Sequence, residues 1–117
     1  MTNSFAFSDD VVGVLIDTEL NDEKLEEITN LLEQKMENNL SVSLYLEDES
    51  KQGITLLAYL KSLFFHYAHP YSIRKVAIVT DLKWFQRSME AKDFIIEADL
   101  KTFDISDRLD AMNWVMQ

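Results

Sequence analysis

The sequence predicts a single-domain α/β protein, with a mainly parallel sheet of four to five strands and about four helices. Strand-length apolar runs alternate along the chain with segments of helical periodicity. The helical segments are long enough to serve as crossovers between parallel strands. With 117 residues the chain has the length of one domain, and a domain of this size buries roughly two-thirds of its unfolded surface. We therefore expect one domain over residues 1–117.

Two continuous apolar runs predict strands that are buried on both faces. They are Val11–Asp17 and Lys75–Thr80, both rich in β-branched residues. Shorter strands are predicted at Ser4–Phe7, on an edge of the sheet, and at Ala98–Phe103.

Leu40–Leu46 predicts a strand of a different kind. Leucine or valine alternates there with Ser41, Ser43 and Tyr45. Such a period of two predicts one buried face and one that is wet or lightly covered. We therefore expect the helices to lie mainly on one face of the sheet.

The first predicted helix runs from Asn21 to about Asn38. Asn21 is a suitable N-cap, and Asp22 and Glu23 follow in the first turn, where carboxylates interact favourably with the helix dipole. An apolar stripe predicts the buried face: Leu25, Ile28, Leu31, Leu32 and Met36.

The second predicted helix, Gln52–Pro70, is apolar on nearly all sides. Its main stripe consists of Leu56, Leu57, Leu60, Leu63, Phe64 and Tyr67. Phe65 lies opposite this stripe. An exposed aromatic residue there would favour a homodimer contact, a partner site or a lipid-facing patch; otherwise Phe65 packs under a neighbouring element.

Two more helices are predicted in the second half of the chain. One opens at Thr80-Asp81 and runs to about Lys92. The last is capped by Asp104 or Ser106, and it turns three apolar residues inward: Leu109, Met112 and Met116.

Net charge limits the classes of partner. Residues 1–50 hold 13 acidic residues against Lys24 and Lys35, whereas residues 51–117 hold 8 acidic against 9 basic residues. An acidic first half repels phosphate backbones, so nucleic-acid binding is not expected. The acidic surface is interpreted as a solvated face or as a docking face for a basic partner.

The absence of cysteine and the hydropathy of the chain indicate the cellular compartment. The chain has no cysteine, as is typical of proteins in a reducing compartment. Its first residues lack the pattern of a signal peptide, and no apolar run reaches the roughly 18 residues of a spanning helix. We therefore expect a cytoplasmic protein that does not span a membrane.

Several segments together resemble one known family. They are Asp10–Asp17 (DVVGVLID), the strand LSVSLYLE, Val76–Trp84 (VAIVTDLKW) and Thr102–Val115 (TFDISDRLDAMNWV). They are similar to the SpoIIAA-like family, which is related to the STAS domains of bacterial anti-sigma factor antagonists. The resemblance implies a sheet of four to five strands wound as a βα superhelix. It also implies a structural relationship to lipid-carrier domains of the CRAL-TRIO type.

The phosphorylation site of STAS antagonists is not reproduced. Those proteins carry a serine in an Asp-Ser-Ser-Gly-type turn before their second helix, where this chain has Glu49–Thr55 (ESKQGIT). Ser50 lies early in that turn, and Thr55 is the nearest hydroxyl at the helix start. Thr55 is interpreted as a helix cap or as a phosphorylation site, with Ser50 as the second candidate.

One flank of the second helix is a candidate ligand-binding surface. Thr55, Tyr59, Ser62 and His66 follow each other at steps of three or four residues, beside an aromatic-rich face. Such a flank lines a small pocket or marks the boundary between core and solvent.

Trp84 is expected in the core or, as the alternative, on the wall or rim of a pocket. In the second case the neighbouring Lys83 would attract an anionic head group. His66 and His69 have a spacing that could suit a metal, but no third ligand is near in sequence, so no metal site is expected. The sequence also contains no nucleotide-binding or hydrolase motif.

The leading hypothesis is a non-enzymatic binding or regulatory module without a cofactor. It would bind a small hydrophobic, lipid-like ligand or a protein partner through the second helix and its neighbours. The alternative is a partner-switching regulator controlled by phosphorylation.

Overall fold

The computed structural model describes residues 3–5, 8–49, 53–66, 73–90 and 99–117. The strands are β1 (Asn3–Phe5), β2 (Val11–Ile16), β3 (Val42–Asp48), β4 (Ile73–Val79) and β5 (Asp99–Phe103). The helices are α1 (Asp22–Asn38), α2 (Gly53–His66), α3 (Lys83–Glu90) and α4 (Arg108–Met116), with a 3₁₀ turn at Ile105–Asp107 before α4. The predicted ends of two helices, near Pro70 and Lys92, lie outside the described residues.

The five strands form one sheet in chain order. β1 lies on an edge and pairs antiparallel with β2, whereas β2, β3, β4 and β5 are parallel neighbours. The prediction of a mainly parallel α/β sheet is confirmed. Because crossovers between neighbouring parallel strands are right-handed, α1, α2 and α3 lie on the same face of the sheet.

The first core lies between the sheet and these three helices. Each helix contributes fully buried side chains to it, Ile28 from α1, Leu60 from α2 and Phe85 from α3. The sheet contributes alternate residues of its inner strands: Val12, Val14, Ile16, Val42, Leu44, Leu46, Val76 and Ile78. The apolar stripes predicted for α1 and α2 therefore pack as expected at these positions.

The predicted N-cap of α1 is confirmed. Asn21 has an extended backbone, and its side-chain oxygen accepts a hydrogen bond from the backbone N–H of Lys24 at 2.9 Å. Asp22 and Glu23 occupy the first turn of the helix. The cap satisfies one of the four backbone N–H groups that have no partner inside a helix.

The expectation for Leu40–Leu46 was wrong in two respects. The strand begins at Val42, and Leu40 lies before it with 97% of its surface exposed. Ser43 and Tyr45, expected on a wet or lightly covered face, are fully buried. The reason is that α4 packs on this face of the sheet, so β3 is covered on both sides.

The second core is formed by α4 and the other face of the sheet. Its buried residues are Val11, Tyr45, Ala77, Val79, Phe103, Ala111 and Val115. The predicted inward stripe of α4 was therefore wrong, because Leu109 is 69% exposed, Met116 is 41% exposed, and Met112 is half-buried at the margin. The small side chains of Ala111 and Val115 let the helix backbone approach the sheet closely.

Candidate functional site

The carboxyl ends of β3, β4 and β5 meet at one edge of the sheet, which we call the carboxyl edge. Asp48 and Thr80 are buried there, at the ends of β3 and β4, and Asp104 follows β5. In open α/β sheets, ligands bind in crevices outside the carboxyl ends of the strands. A ligand site on this fold is therefore expected at this edge.

A hydrogen-bond network at the carboxyl edge holds α3 against β5. The side-chain amide of Gln86 donates to the carbonyl oxygen of Thr80 at 2.7 Å and to Asp104 Oδ1 at 2.8 Å. Lys83 Nζ donates to the same Asp104 oxygen at 2.6 Å. On the adjacent loop, Asp81 Oδ1 accepts from the backbone N–H of Ile105 at 3.0 Å. These bonds fix the amino end of α3 at the edge.

The hydrogen bonds of this network shift the pKa values of Asp104 and Lys83. The hydrogen bond from Gln86, together with that from Lys83, lowers the pKa of Asp104 below its ordinary value. The hydrogen bond to Asp104 raises the pKa of Lys83. Lys83 is thus a cation already paired with a carboxylate, which weakens the attraction to an anionic head group expected from the sequence. Asp104 was predicted as a cap of the last helix, but its side chain bonds to α3 instead.

Trp84 and Phe85 lie on different sides of α3. Phe85 is fully buried in the first core, whereas Trp84 is 43% exposed. Their rings meet edge to face, with centroids 6.0 Å apart and planes at 77°. Phe85 therefore occupies the core position that was expected for Trp84. The indole of Trp84 lies at the surface and packs against the buried ring of Phe85.

The predicted flank of α2 faces a different neighbour. Tyr59 is half-buried, and its hydroxyl lies 2.8 Å from the hydroxyl of Thr29 on α1. Thr29 in turn donates to the carbonyl oxygen of Leu25 at 3.1 Å. Tyr59 therefore fixes α2 to α1, as expected for a residue at the boundary between core and solvent. Ser62, on the same flank, is exposed.

Thr55 lies in the first turn of α2, which begins at Gly53. It is half-buried and is inside the helix, so the interpretation of Thr55 as the N-cap was wrong. Ser50 and the side chains of Phe65 and His66 lie outside the described residues.

The structure thus separates the predicted site residues into two groups. Tyr59 lies on the α1 side of α2, while Lys83 and Trp84 belong to α3, on the other side of α2. Sequence reasoning missed Gln86 and the part that Asp104 plays at the edge. Nothing in the local sequence indicated their contact, because the two residues are 18 positions apart.

A second buried polar group lies under α4. The Tyr45 hydroxyl donates to Glu47 Oε1 at 2.7 Å, and Arg108 Nη1 lies 3.6 Å from Glu47 Oε2. Tyr45 and Glu47 are both buried, whereas Arg108 is largely exposed. The group connects the sheet to the first residue of α4.

Stability is expected to fall in alkali because Tyr45 is buried and Tyr59 is half-buried. Burial, followed by the hydrogen bond to Glu47, raises the pKa of Tyr45, and burial raises the pKa of Tyr59. The unfolded chain ionises these groups near pH 10 while the folded chain keeps them neutral. The stabilisation is therefore complete below about pH 10 and decreases above it, by up to about 1.4 kcal/mol per pH unit for each tyrosine.

Urea denaturation at about pH 9 and about pH 11 measures this effect. The Tyr45→Phe protein should lose less stability over this interval than the wild type. An equal loss in the two proteins would contradict the assignment to Tyr45.

No group of three or more His, Cys, Asp or Glu side chains among the described residues could hold a metal ion. None of the described helices has the length and hydropathy needed to cross a membrane.

Comparison with known proteins identifies the family. A family model described as SpoIIAA-like matches residues 11–116. A similar solved structure is that of an uncharacterized protein of the DUF3478 family from Shewanella loihica PV-4, with a SpoIIAA-like fold. It has 16% sequence identity and a TM-score of 0.67, over 98% of this chain and 92% of that chain, and it supports the fold alone. A search of curated proteins gave no significant match. On the match to residues 11–116, the chain belongs to the SpoIIAA-like family.

Proposed function

We propose that this protein is a non-enzymatic binding or regulatory module of the STAS type. Its carboxyl edge would receive a small hydrophobic, lipid-like ligand or an apolar segment of a protein partner. Family membership supports the general class. The observation that carries the specific proposal is the exposed indole of Trp84. The cytoplasm is the proposed location.

Trp84 has the properties of a binding residue. A large aromatic side chain that is partly exposed gains most when a partner covers it. The Lys83–Asp104–Gln86 network and the buried ring of Phe85 fix its position before any ligand binds. A fixed side chain loses little conformational entropy on binding, so more of its contact energy is available for affinity.

Charge at the edge favours an uncharged ligand. Asp48, Asp81 and Asp104 all lie there, and Lys83 is paired with Asp104. An anionic head group would therefore meet carboxylates and find the nearby ammonium already paired. A neutral lipid-like molecule avoids this repulsion.

The side chains of the network support a non-enzymatic role. Asp81 and Asp104 accept hydrogen bonds from the backbone and from α3, and Gln86 donates to two acceptors. General acid–base catalysis needs a group that can exchange a proton with a substrate. The hydrogen bonds of these groups instead hold α3 and the loop before it next to the end of β5.

Tryptophan fluorescence tests the proposal, because the chain has two tryptophans that can be separated. In the Trp114→Phe protein, Trp84 is the single indole. Titration with 1-monooleoylglycerol should shift its emission to shorter wavelength and saturate, because the ligand covers the ring. Oleate should bind more weakly, by about tenfold or more, because its carboxylate is repelled by the edge.

The matched control is Trp84→Phe, which leaves Trp114 on the opposite face of the sheet. Its emission should not change with the same ligand. The proposal would be overturned by unchanged emission in the Trp114→Phe protein, or by equal shifts in both proteins.

A second candidate function is a switch controlled by phosphorylation. It is supported by the position of Thr55 in the first turn of a 14-residue helix, where a phosphate would interact favourably with the helix dipole. A kinase-dependent mass increase that is lost in Thr55→Ala, and kept in the control Ser62→Ala, would support it. If the increase is lost in Ser50→Ala instead, the modified residue is Ser50. No mass increase in the wild type would exclude the switch for the kinase used.

A further inference from the structure

The side of α2 that carries Leu57 faces α3. Leu57 and Tyr59 are two residues apart, so their side chains leave the helix about 200° apart, on opposite sides. The Tyr59 hydroxyl lies 2.8 Å from the hydroxyl of Thr29 on α1, which places Tyr59 on the α1 side. Leu57 therefore lies on the side away from α1, where α3 is the next helix on this face of the sheet. It is half-buried and packs against the first core.

The side of α3 that carries Trp84 faces α2. Trp84 and Gln86 are also two residues apart and leave their helix about 200° apart. Gln86 donates to Asp104, which directly follows β5. Trp84 therefore lies on the side of α3 away from β5, towards α2, while Phe85 between them points into the first core.

Leu57 and Trp84 thus line the boundary between α2 and α3 from its two sides, here called the α2–α3 boundary. Both helices follow parallel strands, so both start at the carboxyl edge and run in the same direction. Trp84 lies in the first turn of α3 and Leu57 in the second turn of α2. The α2–α3 boundary therefore begins at the carboxyl edge, beside the exposed indole, and continues away from it between the helices.

A hydrocarbon chain suits the α2–α3 boundary better than a peptide does. The backbone N–H and C=O groups of a helix bond to each other, so the sides of α2 and α3 offer only side chains. Ser88, on the same side of α3 as Trp84, already donates its hydroxyl to the carbonyl oxygen of Trp84 at 2.9 Å. A peptide backbone would find few partners there for its polar groups, which costs free energy. A hydrocarbon chain has no such groups.

Two long side chains, Lys61 and Arg87, are placed to cover a chain in this position. Lys61 lies one turn after Leu57 on α2, and Arg87 lies three residues after Trp84 on α3, and both are exposed. Side chains of this kind pack their methylene stems on apolar surface and keep their charged ends in water. They would therefore add apolar contact to the chain while the head group stays at the carboxyl edge.

We infer that the lipid-like ligand places its hydrocarbon chain along the α2–α3 boundary and its uncharged head group at the carboxyl edge, with Leu57 as the apolar contact opposite Trp84. This inference rests on the proposed function, because it requires that a lipid-like ligand covers Trp84. It adds the direction of the chain and a residue that determines affinity for it.

Titration of Trp84 emission measures the contribution of Leu57. In the Trp114→Phe protein, Leu57→Ala should weaken the binding of 1-monooleoylglycerol by about tenfold, because it removes apolar contact with the chain. Leu57→Met, which keeps the apolar volume, should bind within about threefold of the parent protein. Ser62→Ala, on the α1 side of α2, is the matched control and should leave binding unchanged. Unchanged binding in Leu57→Ala would overturn the inference.

Cysteine protection tests the position of the chain independently, since the natural chain has no cysteine. With 1-monooleoylglycerol at about ten times its Kd, Leu57→Cys should react with iodoacetamide about tenfold more slowly, because only the unliganded fraction reacts. Ser62→Cys should react at the same rate with and without the ligand. If Trp84 emission shifts but Leu57→Cys is not protected, the proposed function stands and this inference is overturned. If the emission does not shift, the proposed function fails and this inference fails with it.

Discussion

Substitution of Phe85 by alanine is expected to lower the free energy of unfolding by about 3 to 5 kcal/mol. Phe85 is fully buried and connects α3 to the first core. Removal of its ring loses the transfer free energy of the side chain and leaves a cavity that the well-packed strands can fill only partly. Urea denaturation followed by circular dichroism measures the change.

The neighbouring Trp84→Ala is the matched control for this prediction. Because Trp84 is partly exposed and packs on Phe85 by one edge, its loss should cost no more than about 1 kcal/mol. Equal losses of stability in the two variants would contradict the assignment of Phe85 to the core and Trp84 to the surface. A small loss of stability in Trp84→Ala would also show that the fold does not depend on this side chain, so Trp84 can be substituted in binding experiments.

Substitution of Glu47 by alanine is expected to cost about 3 kcal/mol. The change leaves the buried hydroxyl of Tyr45 without its acceptor at 2.7 Å and removes a carboxylate that faces Arg108 of α4. A buried polar group that loses its partner keeps the full cost of its desolvation. The hydrogen bond to a charged acceptor contributes a further part of the loss.

A double-mutant cycle with Tyr45→Phe isolates the Tyr45–Glu47 bond. We expect a coupling of about 1 to 3 kcal/mol, measured by urea denaturation at neutral pH. The control Arg108→Gln should cost about 1 kcal/mol or less, because Arg108 is largely exposed and its ion pair is long. A coupling near zero would show that the buried hydrogen bond does not stabilise the fold.

The sequence predicted those elements whose patterns have one physical interpretation. Val11–Ile16 and Val76–Val79 are apolar on both faces, and such runs occur in the inner strands of parallel sheets. α1 combines an N-cap, acidic residues in its first turn and an apolar stripe with a charged opposite side. Because these signals agree with each other, both its type and its bounds could be predicted.

The same reasoning failed where a pattern had two interpretations. α4 has two apolar sides, Leu109–Met112–Met116 and Ala111–Val115, and the larger residues suggested the buried one. Contact with the sheet instead favours small residues, since they allow the helix axis to come close. That contact covers Tyr45 on β3, whose hydroxyl is satisfied by Glu47 only two residues away. The tyrosine therefore looked solvent-facing in sequence but is buried.

The candidate site depends on contacts that are distant in sequence. Lys83 and Trp84 could be selected from sequence as neighbours at the wall or rim of a pocket, but the role of each follows from its partners. Asp104 binds Lys83 and Gln86 across 21 and 18 residues. Which of two adjacent aromatic residues faces the core depends on a helix rotation of about 100°. Only the packing of α3 on the sheet determines that rotation.

Native mass spectrometry of freshly purified protein tests the central claim most directly. The account predicts a population of protomers that carry an uncharged lipid-like molecule, and it predicts that this population is lost from the Trp84→Ala protein while Ser62→Ala retains it. Protomers of bare mass in the wild type, under conditions gentle enough to preserve non-covalent complexes, would contradict the account. Adducts that persist unchanged in Trp84→Ala would contradict the place of the site.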